Sequence, residues 1–167
     1  MLMPLTMEER QRIFGPLLYT LNPVPGNPEN IIVLGDWIKE NIMVASIPTI
    51  RGLGMFKVQF HYKAADALRF LFEEWRQLGL MPLVLSWGGT FCPRLVRGSK
   101  TSLSNHAFGT AFDINMQWNG LGKDPAALGA RGSVRALVPI AEKHGFFWGG
   151  NYNNRKDGMH FEYSRGE

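Results

Sequence analysis

Two runs of this chain carry side chains that must meet in space if they are to act together. The first is Ser104-Asn105-His106-Ala107-Phe108-Gly109-Thr110-Ala111-Phe112-Asp113, and the second is Asp157-Gly158-Met159-His160-Phe161-Glu162. His106, Asp113 and His160 supply two imidazoles and one carboxylate. A hydrolytic zinc ion takes three such protein ligands and keeps a fourth position for water. Two neutral imidazoles and one carboxylate leave the ion a net charge of about +1, enough to acidify that water and polarise a carbonyl. Cys92 is the only cysteine, so a thiolate cage that would quench the charge is ruled out.

The ligand spacing constrains the fold. From Gly109 to Asn115, small or polar residues (Gly109, Ala111, Asp113, Asn115) alternate with larger ones (Thr110, Phe112, Ile114), the period of a strand. Asp113 then points away from Phe112 and Ile114. Gly109 and Ala111 are expected on the Asp113 face, where their small size leaves room for a metal and substrate. The run Met159 to Tyr163 alternates too, with His160, Glu162 and Ser164 on one face. Pairing of the two strands would bring His160 to Asp113 across the ladder.

Asp157, three residues before His160 and followed by the turn residue Gly158, is the candidate general base. Glu162 is its rival, or an orienting partner for an imidazole. Ser104 either binds substrate or caps a local turn. Arg94 and Arg97, in Pro93-Arg94-Leu95-Val96-Arg97-Gly98, are candidates to clamp a substrate carboxylate or steady an oxyanion, with Arg94 preferred. His61 reads as a surface or helix-entry residue and His144 as polarity at a helix C-terminus. Trp87 and Trp148 flank the expected cleft. Cys92 reads as an inert small side chain.

Ser104-x-His106-x-x-Gly109-x-Ala111-x-Asp113 followed by Asp157-x-x-His160 resembles the zinc D-alanyl-D-alanine carboxypeptidases, a family that includes L-alanyl-D-glutamate endopeptidases. The resemblance runs from about Pro82 to Tyr163. It implies a hedgehog/DD-peptidase-like fold, zinc on His106, Asp113 and His160, and a catalytic acid at Asp157. It also implies hydrolysis of an amide bond in peptidoglycan stem peptides, as a carboxypeptidase or as an endolysin-like endopeptidase. Family members commonly carry an arginine after a Ser-Gly-Tyr-like strand end, where this chain has Ser86-Trp87-Gly88-Gly89. A different reading keeps the metal but not the chemistry: a catalytically lapsed module that binds wall peptides or a protein partner.

The chain has 167 residues, 45% of them hydrophobic, which suits one domain with its own core. A formal charge of +4 favours anionic partners such as cell-wall polymers. Nucleic acid is not expected, because the basic residues are scattered and no binding motif accompanies them. Glu8, Glu9, Arg10 and Arg12 interrupt any leader-like apolar run, and no run approaches a membrane span. A product made in the cytoplasm is expected, acting at the wall only after release or export by another route.

Thr6-x-x-Glu9 is a capping-box pattern opening a short helix that stops near Gly15-Pro16. Asn22 to Pro28 reads as a loop, and Asn41 to Ile47 as a strand. Lys63 to Leu78 is the clearest helix, with Ala64, Leu68, Leu71, Phe72, Trp75 and Leu78 at helical spacing and Gly79 as its stop. Strands are expected at Met81 to Trp87 and Phe146 to Trp148, and a second helix at Ser133 to His144. This order predicts an α+β fold, a small antiparallel sheet flanked by helices. Residues 1–62 read as an N-terminal arm and 63–167 as the catalytic core of one zinc peptidase domain.

Overall fold

The structure, a computed structural model, describes residues 2–49 and 54–165. Its elements in chain order are α1 (Met7–Phe14), β1 (Tyr19–Leu21), β2 (Ile31–Val33), α2 (Trp37–Asn41), β3 (Ile42–Pro48), β4 (Met55–His61), α3 (Tyr62–Gln77), β5 (Trp87–Gly89), β6 (Ala111–Ile114), α4 (Val138–Lys143), β7 (Phe146–Trp148) and β8 (His160–Tyr163). This is an α+β fold. The strands form two hairpin sheets, β1-β2 and β3-β4, and a four-stranded antiparallel sheet in the order β5-β6-β8-β7.

Local chemistry explains the helix boundaries. Thr6 Oγ1 accepts the Glu9 N–H, and the Glu9 carboxylate accepts the Thr6 N–H in return, so α1 opens on a reciprocal capping box. The α3 helix starts where the His61 ring accepts the Lys63 N–H. It ends before Gly79, whose φ of +70° is a left-handed position that glycine takes without steric cost. Its expected inward residues Ala64, Leu68, Leu71, Phe72 and Trp75 are buried, whereas Leu78 is exposed at the end of the helix.

Two expected elements are shorter than their sequence patterns. Met81 to Trp87 is not a strand: Met81–Leu83 forms a 3-10 turn and only Trp87–Gly89 pairs. Pro82 has no N–H to give to a ladder. In place of a strand partner, Asn115 Oδ1 accepts the N–H groups of Leu85 and Ser86 while its Nδ2 donates to the Leu83 carbonyl. The second helix begins at Val138 rather than Ser133, because Pro139 belongs in a first turn and cannot sit mid-helix. Val134 and Leu137 still bury completely, carried there by turns.

The core has two parts. One packs α3 and α4 against the large sheet, and in it Phe112 stacks between Trp87 and Phe161. The other joins Phe14, Leu17, Ile31 and Trp37 to Leu95, Leu103 and Phe108. The expected arm and the segment bearing His106 therefore share one apolar cluster. His61, read as a surface or entry residue, is fully buried at that junction, and its Nε2 lies 3.0 Å from the Phe14 carbonyl oxygen. Burial pushes its pKa down to about 4.

Candidate metal centre

Strand β6 runs antiparallel to β8 with Asp113 opposite His160, so the ladder brings these two side chains together. Phe112 and Ile114 point into the core, which turns Asp113 to the other face. His106 sits on a 3-10 turn, Asn105–Phe108, just before β6. Ser104 Oγ accepts the His106 N–H and starts that turn, and Gly109, with φ of +65°, ends it. Ligand-type atoms of His106, Asp113 and His160 lie within 4.8 Å of one another.

Each imidazole has one nitrogen committed and the other turned toward Asp113. His106 Nδ1 is 2.6 Å from the Thr90 carbonyl oxygen, which can only accept, so Nδ1 carries the proton. His106 Nε2, 3.2 Å from Asp113 Oδ1, is buried without a hydrogen-bond partner. A buried lone pair facing a carboxylate is costly by itself and suits a cation placed between the two. His160 Nε2 is 3.2 Å from Glu162 Oε2, and His160 Nδ1 is 3.0 Å from Asp113 Oδ1. This pattern fits a metal ligand whose second nitrogen is fixed by a carboxylate.

The electrostatics also favour positive charge here. Burial would raise the Asp113 carboxyl, but the charge of His106 and contacts with both imidazoles outweigh it and hold it well below the usual carboxylate range. Burial would lower His160, yet its bonds to Asp113 and Glu162 raise it to about 10. The donor set of two imidazoles and a carboxylate fits zinc.

The three residues line a cavity of about 770 Å³ that also receives Asp157, Arg94, Arg97 and Ser104. Asp157 Oδ1 is buried with no hydrogen-bond partner. Burial raises the pKa of this carboxyl, partly offset by the charge of His160. A half-desolvated carboxyl with a free oxygen has the properties of a proton-transfer group. The Arg94 guanidinium bonds the Leu95 carbonyl and is acted on by the Asp113 and Asp157 charges, which leaves most of its donors uncommitted. Arg97 is held by Asn27 and Glu29, so its charge is already matched.

Several contributors were not anticipated from sequence. Gly109 does not make room for the metal: a Cβ there would lie 2.6 Å from Ile42 Cδ1, so its smallness serves packing. Gly88 is the glycine packed on Asp113: a Cβ on it would meet Asp113 Cβ at 2.9 Å and the Asp113 backbone oxygen at 3.3 Å. Tyr152 donates to Glu162 Oε2 at 2.6 Å, and the Asn105 side-chain amide donates to the same oxygen. Trp87 and Trp148 are core residues outside the cavity lining; Trp148 Nε1 donates to the Gly158 carbonyl beside Asp157. Half-buried Cys92 lines the cavity. His144 pairs with Glu74 at 2.6 Å, away from the site.

An α+β fold that gathers a His-Asp-His set beside a free buried carboxyl defines a candidate hydrolytic metal centre. Residues 97–163 match the family described as D-alanyl-D-alanine carboxypeptidase, a match that supports a peptidase of the M15 type and spans all three ligand-type residues and Asp157. No curated protein and no solved structure matches the chain at a significant level. No helix among the described residues is long and apolar enough to cross a membrane.

Proposed function

We propose that this chain is a zinc metallopeptidase that hydrolyses an amide bond in peptidoglycan stem peptides. The observation that carries this reading is the buried, partnerless Nε2 of His106 facing Asp113 and His160 in the cavity that also holds the free Oδ1 of Asp157. His106, Asp113 and His160 would hold the zinc, which when bound supplies a Lewis acid that polarises the scissile carbonyl and acidifies water.

The protein's own groups do the rest. Asp157 Oδ1 accepts a proton as water adds to the carbonyl carbon, then returns it to the departing nitrogen as the C–N bond breaks. Arg94 directs its uncommitted N–H groups at substrate carboxylate or at the developing oxyanion. Gly88 lets its own strand, β5, pack closely against Asp113. Ser104 keeps the His106 turn in place through its bond to the His106 N–H.

The test is incubation of purified protein with defined stem peptides and mass spectrometry of the products. Cleavage at one amide bond, abolished by a chelator and restored by zinc, is expected. Intact peptides with zinc-loaded protein would contradict the reading.

A further inference from the structure

Asp157 Oδ1 is buried and takes no hydrogen bond, so its aim depends on the backbone that carries it. That backbone is fixed from two sides. On one side stands the end of β7: the Gly149 carbonyl accepts the Asp157 N–H at 2.9 Å, and the indole Nε1 of Trp148 donates to the Gly158 carbonyl at 2.9 Å. On the other side Gly158 is wedged against residues 119–126, where an added Cβ would meet Pro125 at 2.7 Å and Asn119 Cβ at 3.1 Å. Gly149 is as tightly placed, since a Cβ there would lie 2.6 Å from the Asp157 carbonyl oxygen.

Trp148 joins these contacts to the strand that bears a metal ligand. Its backbone pairs with Phe161, the residue after His160, while its side chain reaches the turn that precedes that strand. One residue thus ties both the His160 strand and the Asp157 turn to β7. The Arg135 guanidinium carbon sits 5.2 Å from the centre of the indole ring, and Arg135 Nε donates to the Ala126 carbonyl at 3.0 Å. Asn119, fully buried, donates to the Asn115 and Gly132 carbonyls and accepts the Ala126 N–H, so the segment pressed on Gly158 is itself anchored. Trp148 is 3% exposed, and an indole has one donor and no acceptor. Movement of the Gly158 carbonyl would leave that donor buried and unpaired, which is costly.

We propose that Trp148 is a positioning residue for Asp157: its indole N–H, bonded to the Gly158 carbonyl, holds the Asp157-Gly158 turn so that the unpaired carboxyl oxygen keeps its place beside the ligand set. The inference rests on the reading of Asp157 as the proton-transfer group. Trp148 lies outside the cavity lining and acts only through the turn.

The test pairs kinetics with hydrogen exchange. Trp148→Phe keeps an aromatic ring beside Arg135 and removes the donor. A reacting group displaced by about 1 Å can cost about 10²-fold in rate, so this variant should lower kcat by about 10–10²-fold while KM and zinc content stay at wild-type values. In the Asp157→Asn background the same substitution should change the residual rate by less than about 2-fold, because the turn then carries no base. In metal-free protein the Asp157 N–H should exchange faster in Trp148→Phe than in wild type, with the α3 amides unchanged. Wild-type kcat in Trp148→Phe, full multiplication of the two substitutions, or faster exchange shared equally by α3 overturns the proposal. One measurement needs no variant and decides the matter even if Trp148→Phe fails to fold: in wild-type protein the Trp148 indole N–H should be protected to the same degree as the Asp157 N–H, and an indole that exchanges as freely as an exposed one overturns the proposal. Wild-type protein that cleaves no stem peptide removes this inference together with the peptidase reading, whereas wild-type kcat in Trp148→Phe removes this inference alone.

Discussion

Asp157 carries the sharpest prediction at the scale of single residues. Asp157→Asn should cut turnover by about 10²–10⁴-fold while zinc affinity changes little, because the side chain moves protons and is not in the ligand set. Steady-state kinetics beside metal content checks this; full turnover in the variant would exclude Asp157 as the base. The acid limb of kcat/KM should fall above the ordinary carboxylate range, since burial raises this group and activity needs it ionised. His106, Asp113, Asp157 and His160 could be singled out in the sequence because they fall in two short runs that lead into β6 and β8. Tyr152 and Asn105 could not, because each bonds Glu162 and that meeting exists only in three dimensions.

At the scale of elements, the sheet order decides which side chains meet. The β6-β8 pairing and the register Asp113 opposite His160 followed from two alternating patterns, and Phe146–Trp148 followed from a short aromatic run before a Gly-Gly turn. The strand expected at Met81 to Trp87 failed because apolar character alone does not separate a strand from a buried turn, and a single side chain, Asn115, replaced the ladder. Gly88 on β5 packs against Asp113, beside the Gly89–Asp113 pair of the ladder. Gly88→Ala should lower zinc affinity more than it lowers the thermal midpoint, because the added carbon meets Asp113 Cβ at 2.9 Å at the rim of the site. Calorimetry and chelator competition on one preparation compare the two. By contrast, Phe112→Ala should cost about 3–5 kcal/mol in denaturant unfolding by opening a cavity between Trp87 and Phe161.

Across the whole molecule, residues read as an arm share an apolar cluster with the turn that bears His106. His61 joins α1, β4 and α3 at that seam, and its sign with pH can be worked out. Its folded pKa, about 4, lies below the unfolded value, so it is neutral in the fold and its stabilisation is complete above about pH 6.5. That stabilisation is lost as pH falls from about 6.5 toward 4, on the order of 2–3 kcal/mol. His61→Asn should flatten the stability profile over that interval relative to wild type, as read by urea unfolding at several pH values; parallel profiles would refute it. The central claim is that side chains distant along the chain grip one metal ion. The most direct measurement is metal content per chain after exhaustive dialysis, for wild type and for His106→Ala, Asp113→Ala and His160→Ala. One zinc per wild-type chain with loss of bound metal in each variant is predicted, and metal-free wild type, or zinc held undiminished when all three are replaced, would contradict it.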